Sequence, residues 1–252
     1  MEARQLLEAL HVAERLKDET RHCTTTKGAP ENVASHSWRM ALMAYFMTDE
    51  FPELDMNKVI KMCLIHDLGE CFTGDIPTFR KTQADEDREA SLLSNWVRSL
   101  PDPYASDMTA LYAEMDALET PEAKLYKSID KLEAVIQHNE SPISTWEPHE
   151  YELNRTYATD IVQFSSYLKE LRAEILKDTN DKIAAGKYRF SVSASKIKFD
   201  GFLSVYKDDD EKSENKALIH GISEESQVSL ADVKGEQHFT QPPAHFTEAS
   251  LV

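Results

Sequence analysis

Lys61-Met62-Cys63-Leu64-Ile65-His66-Asp67-Leu68-Gly69-Glu70 decides how this chain is read, because an apolar helical run delivers an adjacent histidine and aspartate at its end. An imidazole and a carboxylate side by side suit a divalent cation, since both offer lone pairs and the carboxylate offsets charge. Such a pair asks for partners. His36 lies 30 positions upstream of His66, in Glu-Asn-Val-Ala-Ser-His-Ser-Trp, and Asp130 lies 63 positions after Asp67, in Lys-Ser-Ile-Asp-Lys-Leu-Glu. Each can be placed on a helix.

Outward from that run, residues 1 to about 180 contain only three glycines, Gly28, Gly69 and Gly74, and their apolar residues recur at helical spacing. Leu6, Leu7, Leu10, Ala13 and Leu16 are expected to form one face of a first helix. Val33, Trp38, Met40, Ala41, Ala44 and Tyr45 belong to a second, and Val59, Met62, Cys63 and Ile65 to a third. Thr120 before Pro121 signals a capped helix start, with Leu125, Ile129, Leu132, Val135 and Ile136 facing inward. A last long helix is expected from Glu150 to Asp181. This half reads as all-helical. After Ala185-Gly186 the pattern changes to period two, as in Tyr188, Phe190 and Val192, which reads as strands.

Composition narrows the functions available. The chain has 252 residues, 41% of them hydrophobic, enough for a core. A formal charge of −17 argues against a general nucleic-acid binder, which needs clustered Lys and Arg. Small anionic substrates remain compatible if local cations overcome the background field, whose reach is about 8–10 Å at physiological salt. Cys23, Cys63 and Cys71 form no CxxC pair and are read as thiols of a reducing compartment, with Cys71 an ordinary small buried residue rather than a soft ligand. The N-terminus is acidic and no apolar run approaches the ~20 residues of a membrane span, so a cytoplasmic protein is expected.

On the His36, His66-Asp67 and Asp130 signature, the chain resembles the HD-domain metal-dependent phosphohydrolases. His66-Asp67-Leu68-Gly69-Glu70 running into Thr73-Gly74-Asp75-Ile76-Pro77-Thr78 is similar to the five-prime deoxynucleotidase branch of that superfamily. The resemblance covers roughly residues 1 to 180. It implies a helical fold, a homodimer, and release of phosphate from deoxynucleoside monophosphates. It also implies one divalent transition metal per site, manganese or cobalt, with zinc, iron or nickel as alternatives. His36, His66, Asp67 and Asp130 are the implied metal ligands. Glu70, one helical turn after His66 if the helix persists, and Asp75 are the candidate catalytic acids and bases. Arg21 falls where relatives orient phosphate, and His22 where some bacterial relatives carry Trp. Asp67, Asp75 and Asp130 are placed against substrate as well, and Ile76, Pro77 and Thr78 fall in the segment that lines the nucleotide pocket.

The last 65 or so residues carry a second resemblance. Lys198-Phe199-Asp200-Gly201-Phe202-Leu203-Ser204-Val205-Tyr206, Glu236 to Pro243 and Phe246 to Val252 are similar to an internal piece of a bacterial type IA DNA topoisomerase, without its acidic metal-binding domain or tyrosine nucleophile. The expected organisation is therefore a mainly α HD domain over 1–182 and a short β-rich, poorly ordered fragment over 183–252. Asp208-Asp209-Asp210-Glu211 reads as a solvated turn. Two rival readings stand beside the deoxynucleotidase one. The first is an HD phosphohydrolase acting on cyclic nucleotides, nucleotide polyphosphates or other phosphate esters. The second is a nucleic-acid-associated module acting through the tail, against which that segment's own net negative charge speaks. His138, His149 and His220 are read as surface residues, and Trp96 and Trp146 as packing anchors.

Overall fold

A computed structural model describes residues 1–76 and 80–185, and the expected β-rich tail lies outside the described residues. The described chain is mainly α. In order it contains α1 (Ala3–Ala13), strands β1 (Thr20–Thr24) and β2 (Pro30–Asn32), α2 (Val33–Phe46), α3 (Met56–Ile65), α4 (Glu70–Thr73), α5 (Gln83–Ser99), α6 (Tyr104–Ala117), α7 (Pro121–Glu140), α8 (Glu150–Thr156) and α9 (Ser166–Ala185). Short 3-10 turns join several of them.

The core is built where α2, α3 and α7 meet. Met40, Ala44, Val59, Met62, Cys63, Leu125, Ile129 and Leu132 are fully buried there and belong to one cluster. α7 is central because it starts and runs as its sequence dictates: Thr120 accepts a hydrogen bond from Ala123 N, Pro121 occupies the first turn, and the inward residues recur at three and four. α3 starts on Asp55, whose side chain accepts from Lys58 N, and ends at Ile65. His66 therefore sits at a helix end. The chain turns through 66–69 before α4 begins at Glu70, so the doublet is presented by a helix terminus and not by a continuing helix.

Three expectations are corrected. The helical half contains an antiparallel hairpin, β1 with β2, pairing Thr20 with Asn32 and Thr24 with Pro30. Strands of five and three residues are too short to show a period of two, and the turn signal is Gly28, at φ 79°. Second, α1 ends at Ala13 and has no buried residue; Leu6, Leu7 and Leu10 are exposed, and of the expected face only Leu16, in the following 3-10 turn, is deeply buried, against Val33, Leu68 and Cys71. Third, the expected helix from Glu150 is two. Ala158, at φ 65°, breaks it and lets Ala158 and Val162 drop into the core. Arg172 of α9 then donates to the carbonyls of Asn154, Arg155 and Tyr157, each at 2.9 Å, satisfying the end of α8. Trp38 and Tyr45 ride on the outer face of α2, whereas Trp146 is buried and donates Nε1–H to His138 O at 3.0 Å.

These assignments give contrasting stabilities. Leu125→Ala is expected to cost about 2–5 kcal/mol and Leu10→Ala less than about 0.5 kcal/mol in urea unfolding; equal losses would refute this account of the core.

Candidate active site

Three elements aim at one point. α2 buries His36 on the face that carries Met40 and Ala44; α3 ends on His66 and Asp67; α7 contributes Asp130 and, one turn on, Glu133. His36 Nε2 lies 3.3 Å from Asp130 Oδ1 and 4.0 Å from Asp67 Oδ2. His66 Nε2 lies 2.9 Å from Asp67 Oδ2 and 3.9 Å from Asp130 Oδ1. One donor atom each from His36, His66 and Asp67 falls within 4.8 Å of the others. Asp130 meets both imidazoles with Oδ1 while Oδ2 takes the Lys127 ammonium at 2.7 Å.

Tautomers follow from the partners. The Cys63 carbonyl can only accept, so His66 Nδ1, 2.9 Å from it, carries the hydrogen. Nε2 then turns a lone pair toward the Asp67 carboxylate, and that buried nitrogen has no hydrogen-bond partner. An imidazole lone pair and a carboxylate facing each other suit a cation between them, and imidazole plus carboxylate is the donor set of a divalent metal. His36 is fixed similarly, by a short hydrogen bond from Nδ1 to Glu133. Burial and Arg21 push the His36 pKa down, but its hydrogen bonds to Asp130 and Glu133 outweigh them and raise it to about 9. Burial opposes ionisation of Asp130, yet Lys127 and the two imidazoles hold it well below the usual carboxylate range.

The cluster opens on a cavity of about 320 Å³. Arg21, on β1, lines it with Nη1 2.8 Å from Glu31 and 3.4 Å from Glu133, and these carboxylates outweigh burial to raise its pKa. Glu70 and Asp75 line the same cavity. Glu70 is buried with Oε2 unpartnered; burial, then Asp67, Asp75 and Glu89, raise its pKa to about 10. Burial likewise raises Asp75. Backbone geometry places this pair. A Cβ at position 69 would come 2.7 Å from the Glu89 side chain, and Gly74, at φ 76°, turns the chain toward Asp75. Ile76 lines the cavity, while Pro77 and Thr78 lie outside the described residues.

Three residues of the site, Glu133, Lys127 and Lys81, had been given no role. Glu133 is fully buried, and its signal was the spacing of three from Asp130, which puts both on one helix face. Lys127, three before Asp130, and Lys81, 2.8 Å from Glu89, bring cations to the cavity. His138, expected at the surface, is instead largely buried on the cavity wall, 3.5 Å from Glu150. Lys131 also lines it, 3.9 Å from Asp160 and 5.6 Å above the Tyr157 ring. His22 reaches the wall with Nε2 3.0 Å from Glu150.

A family model described as an HD domain matches residues 13–172. The chain belongs to the HD-domain family. Among its relatives, the HD-domain protein named 5′-deoxynucleotidase HDDC2 from Bos taurus is 30% identical over 142 residues, 55% of this chain and 68% of the relative. The 5′-deoxynucleotidase hdd1 of Schizosaccharomyces pombe is 25% identical over 175 residues, 67% of this chain and 82% of the relative. A solved structure described as a predicted metal-dependent phosphohydrolase from Magnetospirillum magnetotacticum aligns with a TM-score of 0.61 and 27% identity, over 73% of this chain and 96% of that one. A second model, described as DNA topoisomerase, matches residues 166–252, overlapping the end of the HD match.

Two outcomes test the HD site. Glu133→Gln keeps an acceptor for His36 Nδ1 but removes the charge, and is expected to weaken manganese binding about 10–100-fold in a chelator competition; unchanged affinity would rule Glu133 out. Without metal, the raised His36 pKa adds stability that is full below 6.5 and is lost as pH rises through about 9. A metal needs the neutral ring, so binding at pH 7 should release a proton, measurable by calorimetry in buffers of different ionisation enthalpy, and affinity should fall with falling pH.

Proposed function

We propose that this protein hydrolyses deoxynucleoside 5′-monophosphates to deoxynucleosides and phosphate. The observation that carries the proposal is the meeting of the unpartnered His66 Nε2 and Asp67 with Arg21 and the Glu70–Asp75 pair at the cavity, in a chain related to 5′-deoxynucleotidases. His36, His66, Asp67 and Asp130 would hold one divalent ion, manganese or cobalt in preference to zinc, iron or nickel. Such an ion polarises phosphoryl oxygens and lowers the pKa of water.

The remaining work falls to the chain's own groups. Arg21 carries a guanidinium fork matched to phosphate oxygens, and Glu31 and Glu133 hold it in place. Lys81 and Lys127 offset the charge of the surrounding carboxylates. Glu70, its pKa raised to about 10, retains its proton at neutral pH in the metal-free protein and can deliver it to the departing 5′ oxygen, with Asp75 on the same cavity to take one from water. Ile76 and His22 line the cavity where the nucleotide would lie. Supporting a reducing, cytoplasmic location, all three cysteines are buried free thiols. The exposed Leu6, Leu7 and Leu10 offer a face for a homodimer. Among the described residues no helix is long and apolar enough to cross a membrane. The hydrolytic domain would span 1–182, with 183–252 a topoisomerase-like fragment that takes no part in the chemistry.

Metal-stripped protein resupplied with manganese or cobalt is expected to release phosphate from deoxyribonucleoside 5′-monophosphates and not from the matched ribonucleotides, and His66→Ala to lose both metal and activity. Full activity in that variant, or faster cleavage of a diester than of any monoester, would defeat the assignment.

A further inference from the structure

A second cavity, of about 630 Å³, reaches the metal cluster between α5, α6 and α7. Among the described residues it shares only Asp67, Lys81 and Lys127 with the first, so the two cavities meet at the metal ligands. Its floor is His66 and Asp67. The His66 side chain is 4% exposed and its Nε2 has no hydrogen-bond partner, while the Asp67 side chain, at 22%, is the more open of the two. Tyr112, which donates its hydroxyl to Ile65 O at 2.6 Å, and Tyr126, its ring 6.2 Å from the His66 ring, pack around that floor.

Charge separates the two cavities. The first adds two further cations, Arg21 and Lys131; the second adds none. In the second, moreover, both lysines are already taken, Lys81 by Glu89 at 2.8 Å and Lys127 by Asp130 at 2.7 Å. What remains is acidic. Asp67 lies at the floor, and toward solvent stand Glu86 of α5 and Asp116 of α6, both exposed and neither in an ion pair among the described residues. A cleft lined by one sign of charge concentrates ions of the opposite sign and repels its own, so an acidic passage admits a divalent cation and turns phosphate away.

We infer that the cavity between α5 and α6 is the route by which the divalent ion reaches and leaves the His36, His66, Asp67 and Asp130 site, separate from the opening that takes the substrate. The inference goes beyond the proposed reaction and needs only the metal site. Glu86 and Asp116 steer the ion at the mouth, and Asp67, common to both cavities and 2.9 Å from His66 Nε2, is the carboxylate that takes it first. A route of its own lets the ion exchange while a nucleotide fills the first cavity.

The test follows cobalt absorbance after rapid mixing with the metal-stripped full chain, and cobalt release into excess chelator. Glu86→Lys combined with Asp116→Lys should slow association about tenfold at low salt, within the range electrostatic steering supplies, and the deficit should shrink at about 1 M salt, where the screening length is about 3 Å. Glu170→Lys combined with Asp178→Lys, at exposed positions of α9, makes the same change in net charge and should leave the rate within about twofold. Ala113→Trp narrows the passage from an exposed position on α6. It should slow association and release by the same factor and leave the equilibrium affinity unchanged, as an obstruction on a path does and a lost ligand does not. Association unchanged in the mouth pair or in Ala113→Trp, or slowed equally by the α9 pair, would overturn the route and leave the metal site intact. A rise in kcat of the loaded mouth pair with cobalt association unchanged would make the cavity an exit for phosphate instead. Should Ala113→Trp fail to fold, the mouth pair decides by the same criterion. Absence of cobalt binding by the unmodified protein would remove the metal site itself, and the route with it.

Discussion

The Glu133 carboxylate, buried to zero exposure, is the contact on which the rest of the arrangement depends. His36 of α2, Arg21 of β1 and Arg39 of α2 all reach it, the arginines at 3.4 Å. A lone buried carboxylate would be destabilising by several kcal/mol, and these partners offset that cost together, so none can leave without stranding the charge. Arg39 extends the polar seam along α7 by binding Gln137 at 2.8 Å and Glu140 at 2.7 Å. Beside it runs the apolar seam of Met40 and Leu132. The apolar seam supplies driving force without direction; the ionic one fixes register, and with it which nitrogen of His36 looks into the site.

Charge within the cavity is arranged against the protein's own bias. The chain carries −17 overall, and Asp67, Glu70, Asp75 and Asp130 crowd one end of the cavity, yet Arg21, Lys81, Lys127 and Lys131 line it too. Alternating sign at close range matters more than net charge, since the distant surface field is screened within about 8–10 Å while buried neighbours are not. Part of the carboxylate excess is relieved by protonation of Glu70, whose pKa burial and its acidic neighbours raise to about 10. The rest is what a cation at the His36, His66 and Asp67 cluster would satisfy.

Much of this was legible in the sequence because it depends on spacing. Helical periodicity located α2, α3 and α7, and a cap followed by proline placed the start of α7 at Pro121. His66 and Asp67 stood out as an adjacent pair closing an apolar run, and His36 and Asp130 joined them through the resemblance to the HD signature. The hairpin was not legible, since a three-residue strand has no period to read. Nor was the division after α8, which no proline or glycine marks and which depends on packing of Ala158 and Val162. Glu133 and Glu150 look like ordinary solvent-facing acids in sequence; their partners, His36 at a separation of 97 and His22 at 128, exist only after folding. The exposed leucines of α1 show the converse limit, for a periodic apolar stripe establishes a helix without saying what covers it.

Arg172 shows that a boundary in sequence need not be a boundary in the fold. It is the last residue matched by the HD-domain family model, and it lies inside the range matched by the topoisomerase model. Among the described residues its guanidinium has no carboxylate partner and is held instead by the closing carbonyls of α8, whose other end carries Glu150. Seen as recombination, a graft onto this domain keeps the clamp on α8 only if its junction falls beyond residue 172, and keeps the packing of α9 only if it falls beyond Ile183, the last buried residue of that helix. Foreign sequence joined any earlier would be felt at the cavity wall, many residues away along the chain.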